Sequence, residues 1–362
     1  MEVPTPNRAE SSVTPSLPRI LYNALPLDVR GGGVSTYIRE LLGAMANEVE
    51  AELVAAVVPA GRPELPPGIT PVLRRESRGI GRALAGAYGF GGADLFHGLD
   101  VDLPLHRSGP TVSTVHDMAV FDVPWAFPRH RVVGERALVR HALRRADAIV
   151  AVSAFTAERV RALVGRDAVV VHSAPASDMG PASDEARDRV RGQYRLPDRF
   201  VLHVGNIEPR KDIATLAAAC RLVSIPLVLT GHSLWGHTPP AGSLEIGHVP
   251  ASDLPGLFGA ATLVGYASLY EGFGLPPIEA MACGAPVVST PVPAVVEVVG
   301  DGAATFRPGD VQGLSRILRD LLGDDSHRAA LAARGAAMVA TLSWARTAHG
   351  TADAYRSVGL AV

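Results

Sequence analysis

Lysine is almost absent from this 362-residue chain: Lys211 is the only one, and every other residue among the 34 basic side chains is arginine. Abundant Ala, Gly, Pro, Arg and Val suggest a GC-rich genome that replaces lysine by arginine wherever either serves. A lysine kept at 211 therefore implies a need for a compact ammonium on a flexible stem, the kind of charge used on phosphates. Cysteine is scarce as well. Cys220 and Cys283 fall on separate predicted helices and do not make a disulfide framework, which points to a reduced, cytoplasmic setting. No apolar run approaches the length of a membrane span. Residues 1–18 lack the charged-then-apolar pattern of a signal peptide and read as a disordered tail. With a net charge of −2 there is no global attraction to nucleic acid. The Gly-x-Gly-x-x-Gly spacing of dinucleotide sites is missing, which weakens an oxidoreductase reading.

What is present is concentrated at 271–288, Glu-Gly-Phe-Gly-Leu-Pro-Pro-Ile-Glu-Ala-Met-Ala-Cys-Gly-Ala-Pro-Val-Val. Glu271 and Glu279 bracket a glycine loop that runs into a short helix. Gly272 and Gly274 let backbone amides approach a ligand. Pro276 and Pro277 suit a helix start and Gly284 its end. Anion-binding amides beside two carboxylates fit a ligand with both phosphate and hydroxyl groups, a nucleotide sugar.

Around this segment, short β-rich runs alternate with helical ones. Strands are expected over 20–25, 52–58, 95–97, 111–116, 148–152 and 169–172, with helices over 34–45, 131–145 and 154–164 and Ser153 as an N-cap. A second series has strands over 200–204, 227–230, 244–247, 262–266, 286–289 and 303–306. Its helices run over 212–222, 252–260, 277–283, 311–322, 328–340 and 343–357. The fold class is α/β, with two doubly wound Rossmann-like domains facing a central cleft at the carboxyl ends of the strands. The expected domains are an acceptor-side unit over 19–172, a linker over 173–183, a nucleotide-sugar-binding unit over 184–342 and a C-terminal helix over 343–362 that packs back on the first unit.

These residues resemble the retaining, nucleotide-sugar-dependent glycosyltransferases of family 4, which have the GT-B fold. The likeness runs from Arg19 to about Tyr355. Its most specific element is Glu271-x7-Glu279 in its full string. Val204-Gly205-Asn206-Ile207-Glu208-Pro209-Arg210-Lys211-Asp212 is similar to the family's phosphate segment, and Gly31-Gly32-Gly33-Val34 to its N-terminal glycine loop. Val115-His116-Asp117 and Ser153-Ala154-Phe155-Thr156 match further segments. The 232–237 loop is shorter than usual, and the linker lacks the family's Asn-Gly-Val-Asp turn.

The resemblance implies metal-independent chemistry without a cofactor, in which Arg210 and Lys211 neutralise the leaving diphosphate. Glu279 would grip the ribose hydroxyls and Glu271 would sit near the donor sugar. Phe273, Gly274 and Leu275 would supply amides, and Gly32 and Gly33 would contact the distal phosphate. Gly205 belongs to the phosphate segment, and Val249 would line the base through its backbone. His116 would bond a sugar hydroxyl and turn its carbonyl toward the anomeric carbon. Retention would follow from front-side attack. Asp100-Val101-Asp102 reads as a loop rather than a metal clamp. A glycosidase pair is excluded, since Glu271 and Glu279 lie on one loop–helix unit and cannot flank a scissile bond.

The Ile207–Lys211 segment is similar to mannosyl- and rhamnosyl-type members, so GDP-mannose is the expected donor. The acceptor is an unidentified hydroxyl on a glycan, a lipid-linked sugar or a natural product. A nucleotide-sugar epimerase and a non-catalytic nucleotide-sugar-binding partner remain alternatives. The arginine-rich 125–145 stretch reads chiefly as a solvated face, with peripheral contact to the inner face of a membrane as its functional alternative.

Overall fold

The computed structural model describes residues 17–27, 32–75, 92–101, 103 and 109–362. The tail expected at 1–18 lies almost wholly outside them, as do Gly31 and Asp102. The first sheet is built from β1 (Arg19–Asn23), β2 (Glu52–Val57), β3 (Thr70–Leu73), β4 (Leu95–Gly98), β5 (Thr111–Val115), β6 (Ala148–Ala151) and β7 (Val169–Val170). Its order is β3-β2-β1-β4-β5-β6-β7, and every pairing is parallel. The second sheet contains β8 (Val201–Val204), β9 (Leu227–Thr230), β10 (Leu244–Glu245), β11 (Leu263–Tyr266), β12 (Val287–Ser289) and β13 (Ala303–Thr305). It runs β10-β9-β8-β11-β12-β13, again all parallel.

The central strands are buried along their whole length, as sheets covered by helices on both faces require. Strand order reverses between β1 and β4 in one sheet and between β8 and β11 in the other. Ligands of open α/β sheets bind at such reversals, outside the carboxyl ends of the strands. There β5 delivers His116, β8 delivers Gly205 and β11 delivers the loop carrying Glu271.

The strands expected from the sequence are all present, most of them shorter. Elements not anticipated include β3, the short Ala119–Asp122 helix, the Asp184–Tyr194 helix, the Pro293–Val299 helix and several 3-10 turns. Residues 173–183 contain no helix or strand, and Ser183 caps the helix that follows by accepting from Ala186 N.

The Trp344–Ser357 helix packs against the Gly33–Glu48 helix of the first unit. A buried polar chain fixes it there. His97 Nδ1 meets the Tyr355 hydroxyl at 2.7 Å, and His97 Nε2 meets Thr114 Oγ1 at 2.8 Å. Trp344 Nε1 donates to the Pro175 carbonyl at 2.8 Å. Burial, assisted by His116, pushes the His97 pKa down to about 3, so the ring is neutral in the fold. Between that value and the unfolded value near 6.5, the unfolded chain binds more protons. The stability His97 permits is therefore present above about pH 6.5 and drains away as pH falls. Tyr355→Phe strands one buried imidazole nitrogen and should remove about 1–3 kcal/mol of stability. Urea denaturation checks this; an unchanged midpoint would mean that the chain does not hold the helix.

Candidate active site

Both switch points open onto one cleft. On the second-unit side, the 3-10 turn Pro209–Lys211 follows β8 and is tied to the loop after β11 by Leu269 N donating to the Arg210 carbonyl at 2.7 Å. This places Arg210 and Lys211 around Glu271. Arg210 Nη1 donates to Glu271 Oε2 at 3.0 Å, and Lys211 Nζ to Oε1 at 2.5 Å. Arg210 also pairs with Glu208 at 2.9 Å. Lys211 is 6% exposed and Glu271 7%.

Burial acts to raise the Glu271 pKa, but Arg210 and Lys211 outweigh it and hold the carboxyl well below the usual range. Burial pushes the Lys211 ammonium below the ordinary lysine value, with Glu271 opposing that shift. Two cations and two carboxylates thus form a neutral, preorganised array before any ligand arrives. The sequence pointed to Arg210 and Lys211 as phosphate charges and did not show that Glu271 already holds both.

Glu279 is different. It lies in the Leu275–Ala282 helix, is 8% exposed, and its carboxyl has no hydrogen bond among the described residues. Burial, then repulsion from Asp178, pushes its pKa up to about 7, with Arg39 partly offsetting and Glu40 adding to the rise. An acceptor in a largely buried position that no described side chain or backbone amide satisfies suits a site that receives hydroxyl donors. Gly274 caps the same helix with φ +112, a conformation that favours glycine, and so presents the Leu275 end of the helix to the cleft. Gly33 faces it: a Cβ there would lie 3.3 Å from Leu275 Cδ1. Gly32, with φ +117, precedes the Gly33–Glu48 helix.

From β5, His116 Nε2 donates to the Leu99 carbonyl at 2.8 Å, leaving Nδ1 as the ring nitrogen for a ligand. Tyr37 packs edge-on to the imidazole, with centroids 4.7 Å apart. The His116 carbonyl stands against Gly272, so close that a Cβ on Gly272 would overlap it. Gly272 is therefore glycine because the opposite unit meets it there. The approach of a ligand, which the sequence suggests for this glycine, is not what requires it.

The Gly272 carbonyl accepts from Ser153 Oγ at 2.7 Å and Thr156 Oγ1 at 3.1 Å. The Ser153–Thr156 segment thus caps its own helix and clasps the second unit. Glu297 reaches the same helix start from the other side, accepting from Ala154 N at 2.8 Å and meeting His172 Nε2 at 2.5 Å. Neither Glu297 nor Tyr270, which donates to Asp122 at 2.9 Å, was found from sequence. A lone acid inside Val-Val-Glu-Val-Val was the one available signal.

The remaining sequence candidates lie at the strand ends. Gly205, with φ +143, abuts Gly231. The Val249 side chain is buried, so its backbone is what can face a ligand, next to stacked His232 and His248 rings 4.8 Å apart. Phe273 is buried 6.0 Å from the His172 ring.

In the basic Arg129–Arg145 helix, Arg131 pairs with Glu135 and lies over Phe127 and Trp235, at 5.2 and 5.4 Å from their centroids. It thereby bridges to the short 232–237 loop. Arg136 donates to the Val120 carbonyl, and Arg140 lies over Phe121. Arg129, Arg131, Arg140 and Arg144 are nonetheless exposed and Arg136 and Arg145 half-buried, so the helix keeps the solvated basic face expected from the sequence. Among the described residues, no helix is long and apolar enough to cross a membrane, and no three His, Cys, Asp or Glu side chains form a metal-sized group.

Residues 31–174 match the family model described as Glycosyltransferase Family 4, and residues 184–338 match Glycosyl transferases group 1. The chain is 35% identical to the O-antigen chain mannosyltransferase B of Escherichia coli over 282 residues, covering 72% of this chain and 74% of that one. The chain belongs to glycosyltransferase family 4.

A further relative of this family 4 chain is the serotype-specific mannosyltransferase WbdA of Escherichia coli, 32% identical over 228 residues; the match spans 57% of this chain and only 28% of WbdA. Among solved structures, Anabaena Alr3699/HepE in complex with UDP and glucose superposes with a TM-score of 0.75 at 19% identity, over 94% of this chain and 99% of that one. That likeness establishes the GT-B fold. As a family 4 glycosyltransferase, the protein transfers a sugar.

Proposed function

We propose that this glycosyltransferase moves a mannosyl group from GDP-mannose to a hydroxyl acceptor with retention of configuration and without a metal ion. The observation that carries the reading is the pairing of two unlike carboxylates on one loop–helix unit. Glu271 is locked between Arg210 and Lys211, whereas Glu279 is buried and unpartnered. Two cations held by one carboxylate make a site for a diphosphate, and a free acceptor one helical turn inside the cleft suits ribose hydroxyls. The likeness to an O-antigen mannosyltransferase supports mannose. HepE, crystallised with UDP and glucose, supports a nucleotide-sugar donor of this general kind.

In the reaction, the bond from the anomeric carbon to the diphosphate oxygen breaks as the acceptor oxygen bonds to the same face. The acceptor's proton passes to the departing phosphate oxygen. Arg210 and Lys211 stabilise the negative charge that develops there, and it is largest in the transition state. The approach of Gly33 to Leu275 limits the access of water to the site.

The test is turnover of GDP-mannose and UDP-glucose by the purified chain against a panel of mannosyl acceptors, in EDTA, with the product's anomeric configuration read by NMR. The expected result is an α-mannoside from GDP-mannose at an undiminished rate. An inverted product, or activity lost in EDTA and regained with manganese, would end the mechanism. Isomerised donor without acceptor would make the protein an epimerase.

A further inference from the structure

The geometry points to Tyr266 as a positioning residue that fixes the Lys211 ammonium for the leaving phosphate. This inference rests on the proposed role of Lys211 and adds to it a residue outside the motif strings.

An ammonium has three N–H donors and sits on a stem of four rotatable carbons. Lys211 gives one donor to Glu271 Oε1 at 2.5 Å and a second to the Tyr266 hydroxyl at 3.2 Å. Nζ also lies 5.1 Å from the centroid of the Tyr266 ring. Two fixed acceptors define the orientation of the group and leave the third N–H as the one a ligand oxygen can take. Glu271 alone would leave the ammonium free to rotate about a single contact.

Tyr266 is well placed to hold this geometry. It is the last residue of β11, the strand beside the second sheet's switch point, and it is 1% exposed. The His203 ring from the neighbouring strand β8 stacks on it at 6.3 Å and 21°. A rigid strand backed by a packed ring positions a group more accurately than a loop does.

His203 serves in a second way. Its Nδ1 donates to the Gly265 carbonyl at 3.1 Å, and its buried Nε2 has no partner. Burial, with Lys211 nearby, pushes its pKa down to about 4, so the ring adds no positive charge to those of Lys211 and Arg210. The charged and titratable groups facing Lys211 are Glu271 and Tyr266 from the β11 side, Arg210 and Glu208 from its own segment, and His203 from β8. From the opposite unit, Asp117 acts on Arg210. Of these, Tyr266 is the neutral hydrogen-bond acceptor whose removal leaves the ionic array in place.

Tyr266→Phe keeps the ring and its packing and removes the hydroxyl, which accepts from Lys211 and also interacts with Glu271 and Ser268. We expect kcat to fall roughly ten- to hundredfold, the worth of one hydrogen bond to a charged group. KM for the donor should change by less than about threefold. Losing an acceptor that favours the charged form lowers the Lys211 pKa, so the alkaline limb of the kcat profile should move to lower pH. A double-mutant cycle gives the decisive arm: in a Lys211→Ala background, Tyr266→Phe should cost nothing further. Unchanged kcat in the single variant, an unmoved alkaline limb, or a full additional loss in the double variant would each overturn the inference. If Lys211→Ala itself retains wild-type turnover, the proposed chemistry fails instead, so the two failures are distinguishable.

Discussion

Lys211→Ala should lower kcat roughly a hundred- to thousandfold, the effect of deleting one preorganised donor at the charge that develops in a transition state. The loss should fall mainly on kcat, because the diphosphate carries its greatest added charge as the glycosyl bond breaks. A second effect must be separated from this one. Lys211 and Glu271 are a buried pair 2.5 Å apart, and removing one partner of such a pair destabilises a protein by about 3–5 kcal/mol. Arg210, still 3.0 Å from Glu271, will soften that loss.

The control is a variant that neutralises both groups, Lys211→Met with Glu271→Gln. Replacing a buried pair by groups of similar volume is often close to neutral for stability. The double variant should therefore melt near the wild type and remain inactive. If its rate returned together with its stability, the ammonium would have a structural role only. Thermal melts and steady-state kinetics on the three proteins give the answer.

Gly272→Ala should be nearly as damaging for a different reason. Gly272 is absent from the positions with left-handed backbone, so alanine is locally permitted there. The obstacle is across the cleft, where the new methyl group would overlap the His116 carbonyl. Each unit should fold, but the two should no longer meet as they do. Misplacing reacting groups by about 1 Å can cost a hundredfold in rate, and a loss of that order in kcat/KM is expected. Nucleoside diphosphate should still bind within about threefold, since Glu279, Arg210 and Lys211 all belong to the second unit. Calorimetry with GDP and kinetics with the full donor separate the two quantities. Wild-type turnover would show that the contact between His116 and Gly272 is not part of the working enzyme.

Much of this architecture is legible in the chain. Alternating short apolar runs announce parallel sheets, and a glycine–proline signal around Glu271 and Glu279 marks the loop–helix unit. The rest depends on distances that sequence spacing does not encode. Glu271 lies 60 residues from Lys211, and only the reversal of strand order between β8 and β11 brings them together. Glu297 satisfies the Ala154 amide from 143 residues away. Tyr266 looks like one more apolar residue in a buried strand, because its hydroxyl acquires meaning only once Lys211 is beside it. The arginines of 129–145 read as a solvated face and are largely exposed, but the contacts of Arg131 with Trp235 and of Arg136 with the Val120 carbonyl lie outside the helix and leave no trace in its pattern.

The seating of Tyr355 against His97 has a further consequence, for synthesis. The first Rossmann-like unit takes one of its covering helices from residues 344–357, which the ribosome makes only after the whole second unit. Until those residues emerge, the surface that Tyr355 covers is open to solvent and to other nascent chains. Folding of the amino-terminal half is thus completed last, although that half is translated first.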